Sequence, residues 1–175
     1  PMALARLKVL YPKIRIRLVP GLSNHLMLQL DRGQIHAAII SRPEILPKSY
    51  AFSEIVSERL VLLVAESTES AAPEEPLSTK PFIRFTRDAV VGRQIEAWLQ
   101  KRKIEVSDAM ELEGLEAISS MVAAELGVSI VPESFRGQDR HLPLKTLPLD
   151  GDPPRRVIGL ASQASSPRGK LVSAV

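Results

Sequence analysis

The chain has 175 residues, 45% hydrophobic and 25% charged, with no cysteine, which is room for one good core or two small lobes. The absence of cysteine excludes disulfides, thiol nucleophiles and thiolate zinc sites, and no apolar run nears the ~18 residues a membrane span needs. The net charge of +3 is unevenly spread: residues 1–64 carry +5, residues 65–143 carry −5 and residues 144–175 carry +3.

Taken in chain order, MALARLKVL (2–10) sets Leu4, Leu7 and Leu10 on one helical face and stops before Pro12. IRIRLV (14–19) alternates apolar residues with Arg15 and Arg17, the period of a half-buried strand. Ser23 is placed to N-cap a helix through Leu30, and Gly33 suits a left-handed stop. HAAII (36–40) reads as a short buried strand, followed by the proline-punctuated loop SRPEILPKS. FSEIVSE and RLVLLVA read as two successive strands.

Residues 66–81 turn to Ser, Thr, Glu, Ala and proline, which marks a surface segment where the charge changes sign. PFIRF (81–85) predicts a strand, 90–102 a helix with Ile95, Trp98 and Leu99 inward, and AMELE (109–113) a strand. A helix over 115–126 closes at Gly127, and VSIV (128–131) forms a strand ended by Pro132. LKTLPL (144–149) is extended, RRVIGLAS is a last strand, and residues 167–175 begin a final helix. Strands alternating with helices imply an α/β fold with largely parallel pairing. The acidic middle forms a second lobe, entered near residue 64 and left near residue 144.

Catalytic patterns are scarce. His25, His36 and His141 share no metal-ligand spacing, and no nucleophile elbow, P-loop or dinucleotide fingerprint occurs, so the sequence assigns no metal and no cofactor. Glu111 and Glu113, two residues apart on one strand, read as a solvated face before an acid–base pair. The polar residues at element ends are better placed for binding. Ser23 opens a helix whose N–H groups suit an anion. Ser41 and Arg42 follow a buried strand, and Arg42 can fork a carboxylate or pair with Glu44. Thr86 and Arg87 follow the strand ending at Phe85, and Ser129 starts the strand after Gly127.

Four ordered segments carry a resemblance to the effector-binding (regulatory) domain of LysR-type bacterial transcriptional regulators: LARLKVLYPKIRIRL, LDRGQIHAAI, ERLVLLVAE and MVAAELGVSIVPES. In the second, His36 stands where the family usually has Asp. In the last, Glu125 stands where it usually has glycine. The resemblance implies an α/β, two-lobed, periplasmic-binding-protein-like (type II) fold with an effector cleft between the lobes. It implies regulatory subdomain I at 1–64 and 144–175, and subdomain II at 65–143. The family's first strand and its N-terminal winged helix-turn-helix would lie before Pro1, so DNA contact is expected only through that domain.

The implied effector contacts are Ser23, Ser41, Arg42, Phe85, Thr86 and Ser129; a small carboxylate as ligand is the expectation drawn from Arg42 and the helix N-termini. The expected partner is a second copy, helix 2–10 of one chain beside helix 90–102 of the other, lobe one at +8 facing lobe two at −5. The expectation is a cytoplasmic, non-enzymatic sensor, away from membranes. A transporter's solute-binding protein of the same fold is the alternative.

Overall fold

The computed structural model describes residues 2–134 and 141–165. The final helix expected over 167–175 lies outside the described residues. The chain forms two compact units, one of residues 1–55 and 158–175 and the other of residues 56–157. It passes between them twice, inside strands. The division therefore falls within extended backbone, outside the charge changes near residues 64 and 144.

The first unit holds α1 (Met2–Leu10), α2 (Ser23–Asp31), β1 (Ala38–Ser41), the first part of β2 (Tyr50–Ala65) and most of β7 (Arg155–Gln163). β1 pairs antiparallel with β7, Ala38 opposite Ala161 and Ser41 opposite Ile158, and β7 also neighbours β2. Leu26 and Leu30, one helical turn apart, pack with Ala38, Ile40, Tyr50 and Ala161. Gly33 takes the left-handed conformation (φ 65°) that ends α2. The Tyr50 hydroxyl donates to Asp31 at the end of that helix. Burial, then this bond and the Asp31 charge, push the Tyr50 phenol up to about 12.

Residues 14–19 do not form the expected strand. Ile16 and Leu18 are exposed, and the segment is tethered by side chains: Lys8 Nζ donates to the Ile14 carbonyl and Arg17 to that of Gln34, each at 3.0 Å. Alternation alone does not make a strand; it needs a neighbour's ladder, and no described strand pairs with these residues.

In the second unit, α4 (Val90–Arg102) links β3 (Pro81–Phe85) to β4 (Ser107–Leu112), and those two strands pair in parallel. α5 (Leu115–Ala123) leads to β5 (Ser129–Pro132), and β6 (Leu144–Pro148) precedes β7. β5 and β6 both pair antiparallel with the apolar end of β2. Flanked on both sides, Leu60 through Ala65 are all buried. The pairing is therefore mainly antiparallel, against the expectation of a largely parallel arrangement. β2 runs unbroken for 16 residues where two strands were read.

The segment after β2 also contains a short helix, α3 (Glu74–Thr79), with Glu74 and Glu75 in its first turn. Phe82, Ile83, Leu77, Ile95, Ile118, Val122 and Ile130 make the core of this unit. α5 stops earlier than expected because Glu125 adopts a left-handed conformation (φ 61°), which the usual family glycine accommodates without strain. The Ser67 hydroxyl donates to the Glu125 carboxylate at 2.6 Å.

Glu125→Gly is expected to stabilise the chain by about 0.5 kcal/mol, since left-handed strain of roughly 1 kcal/mol exceeds one exposed hydrogen bond. Glu125→Ala keeps the strain, loses the bond and should destabilise. Denaturant melts of the two variants check the opposite signs.

Candidate functional site

In the first unit, α2 begins against the end of β1. The N-cap is Leu22, whose side chain offers no acceptor, so Ser23 is the first helical residue and not the cap expected of it. Its hydroxyl oxygen instead accepts the Ser41 N–H at 3.0 Å. That bond brings Ser23 and Ser41 together and fixes the exit of β1.

Arg42 follows immediately. It is exposed, and its guanidinium lies over the Phe52 ring, 5.5 Å from the centroid. The pairing with Glu44 does not form: among the described residues no acceptor takes an Arg42 N–H and no carboxylate pairs with it. A guanidinium held over a ring, with no N–H engaged among the described residues, can fork a planar oxyanion. Phe52 was not legible as a site residue. Ten residues separate it from Arg42, and only the pairing of β7 between β1 and β2 sets their strands near each other.

In the second unit, Phe85 ends β3 and Thr86 follows it, and both are buried. Thr86 N–H donates to Leu112 at 2.9 Å and its carbonyl accepts Ala89 N–H at 3.1 Å, which turns the chain into α4. Neither α4 nor α5 has a side-chain cap; the first turn of α4, Val90 to Gly92, is buried, whereas Glu116 and Ala117 in the first turn of α5 are exposed. Ser129 lies apart from this end. Phe82 bridges Val128 in parallel, and extending that register sets Pro132, not Ser129, level with Thr86. Ser129 instead faces Leu63 across β2, with a fully buried hydroxyl that has no partner among the described residues.

Arg87 is not available to a ligand in the way Arg42 is. It pairs with Asp108 at 3.0 Å and Glu111 at 2.7 Å, with Glu96 at 3.7 Å. Arg84, inside the apolar strand, joins Glu96 and Asp108 and lies over Phe82. The signal for this network was an arginine in the middle of PFIRF, since a buried cation requires carboxylates. Burial alone would raise the Asp108 carboxyl, but Arg84 and then Arg87 outweigh it and hold it below its ordinary value. The Arg87 N–H holds the exposed Glu111 carboxyl low as well. Ion-paired and ionised, Glu111 is not poised as a general acid. No group of His, Asp and Glu able to hold a metal occurs among the described residues. Nor is any described helix long and apolar enough to cross a membrane.

The sequence pattern of the LysR substrate binding domain matches residues 1–175, and the chain belongs to that family. It is 33% identical over 141 residues to the HTH-type transcriptional regulator IlvY of Escherichia coli K12, covering 76% of this chain and 46% of that protein. The chain thus spans about half the length of the curated relatives it matches.

Among solved structures, the effector binding domain of QuiR in complex with shikimate superimposes with a TM-score of 0.82 at 21% identity, covering 99% of this chain and 86% of that one. The Synechocystis PCC6803 CcmR regulatory domain in complex with 2-PG also reaches 0.82, at 18% identity and 99% and 89% coverage. The fold is thus that of LysR effector-binding domains, the periplasmic-binding-protein-like type II fold.

Proposed function

We propose that this chain is the effector-sensing domain of a LysR-type transcriptional regulator, without catalytic activity, and that its effector is a small carboxylate. The observation that carries the reading is Arg42, held over Phe52 with its N–H edge unengaged among the described residues. Ser23 and Ser41 in the first unit, and Phe85 and Thr86 in the second, are the further proposed contacts; Ser129, buried against β2, is not retained among them. QuiR's effector domain was solved with shikimate, itself a carboxylate, which supports the ligand class. The two units serve as regulatory subdomains, and the effector acts by its differential affinity for two arrangements of the protein. DNA contact belongs to the winged helix-turn-helix that regulators of this family carry, and the protein works in the cytoplasm.

A thermal-shift screen of organic acids tests this. A true effector at 100 times its Kd stabilises by about 2.7 kcal/mol, and Arg42→Ala is expected to abolish most of the shift. A variant that keeps the full shift removes Arg42 from the site.

The reading includes a homodimer, α1 of one copy antiparallel beside α4 of the other. α1 buries only Leu7 in its own chain and leaves Met2, Val9 and Leu10 exposed, and the opposite net charges of residues 1–64 with 144–175 and of residues 65–143 favour pairing of lobe with lobe. At low salt, sedimentation should show dimer on the order of tens of micromolar protein, weakening as salt is added. Monomer alone at that concentration sinks the dimer.

A further inference from the structure

The Phe52 ring has two neighbours that together give it a task. One is the Arg42 guanidinium, 5.5 Å from its centroid. The other is Gly159 of β7, where the ring edge and the Ser53 carbonyl come so close that a Cβ would stand 2.6 Å from both Phe52 Cε1 and Ser53 O. Gly159 is buried and pairs with Ile40, one residue before Ser41. The bare backbone at 159 lets the ring edge reach the strand that also holds β1. The ring is thus seated on the same strand that fixes the start of the Arg42 loop.

We infer that Phe52 is a positioning residue of the effector site: it orients the Arg42 guanidinium from below, and Gly159 makes room for it. The inference rests on Arg42 as the effector's carboxylate contact. A long arginine side chain in water samples many rotamers, and holding it before the ligand arrives removes an ordering penalty from binding. An aromatic face does this without consuming an N–H, because the ring meets the guanidinium plane and leaves its edge for the carboxylate. A carboxylate at the same place would hold Arg42 equally well but would occupy the donors. The arrangement therefore favours an anion that comes from outside the protein.

The test observes the Arg42 Nε–H group by NMR in the whole chain. In the wild type it should show a ring-current shift and restricted motion, while exposed Arg32 shows neither. Phe52→Leu should abolish both signatures, and Phe52→Tyr, which keeps the ring, should retain them. Sodium acetate and sodium benzoate then serve as probes on the same signal, and Phe52→Leu is expected to weaken whichever binds by about two- to fivefold. Equal Arg42 signatures in the wild type and Phe52→Leu overturn the inference. So does a carboxylate that binds Phe52→Leu as tightly as the wild type, an outcome that leaves the effector reading intact. If the signatures follow the ring but neither carboxylate moves the Arg42 signal, the positioning holds and it is the carboxylate reading that falls.

Discussion

Gly92→Ala is expected to lower the unfolding midpoint by about 6–12 °C, from an overpacking loss of about 3 kcal/mol in a chain of this size. Alanine is ordinarily the better helix residue, so propensity alone predicts a gain. The packing decides otherwise. A Cβ at 92 would overlap the Thr86 carbonyl oxygen, stand 2.7 Å from its carbon and 2.8 Å from the Phe85 oxygen. Those atoms are backbone and cannot rotate away. The Thr86 carbonyl also accepts the Ala89 N–H, so any shift opens the turn between β3 and α4. Gly114→Ala is the control: a Cβ there meets nothing within 4 Å. Calorimetry of the two variants side by side checks this. A Gly92→Ala midpoint equal to that of Gly114→Ala would mean that α4 does not rest on the end of β3.

Arg84→Ala should destabilise by about 3 kcal/mol at neutral pH, as for a buried ion pair stripped of one partner. The Arg84 side chain is only 6% exposed, whereas Glu96 and Asp108 are 29% and 45% exposed. Water reaches the orphaned carboxylates and keeps the loss from being larger. The pH dependence has a definite sign. Arg84, with Arg87, holds the Asp108 carboxyl below its ordinary value in the folded chain. The Arg84–Asp108 contribution is therefore complete above the ordinary carboxyl pKa of about 4 and disappears as pH falls through the lower folded value. Denaturant melts from pH 7 downward should show the gap between wild type and Arg84→Ala constant to near pH 4 and narrowing below it. A gap independent of pH would show that Arg84 contributes only its packing on Phe82.

What the sequence revealed, and what it hid, follows from how local each interaction is. α2, α4 and α5 were legible because one face of each repeats at helical spacing and their ends carry stop signals. The strand expected at residues 14–19 failed because alternation describes a side-chain pattern, and a strand is defined by a partner's backbone. Strand direction was invisible for the same reason: which end of β2 meets β5 is decided by residues nearly seventy positions apart. At the site, Ser23 and Ser41 were legible as element ends, but the bond between them was not. The Ser23 cap was misread because the chain turns at Leu22. Arg42 was legible as a cation after a buried strand, while its support came from Phe52 and Gly159 on strands that the topology alone unites.

The course of the chain between the two units also dictates an order of assembly. The second unit is one continuous stretch, residues 56–157, while the first is made from both ends. The first unit's core needs Ala161, and the Leu30 carbonyl accepts from Gln163. Those residues leave the ribosome more than a hundred positions after α2. During synthesis the second unit can close on itself while the first still exposes Leu26, Leu30 and Ile40. Because loop closure grows only slowly more expensive with length, a folded second unit shortens the effective span and eases the return of β7. The corner built around Arg42 draws on Phe52 and Gly159, so it can be completed only after β7 has been made.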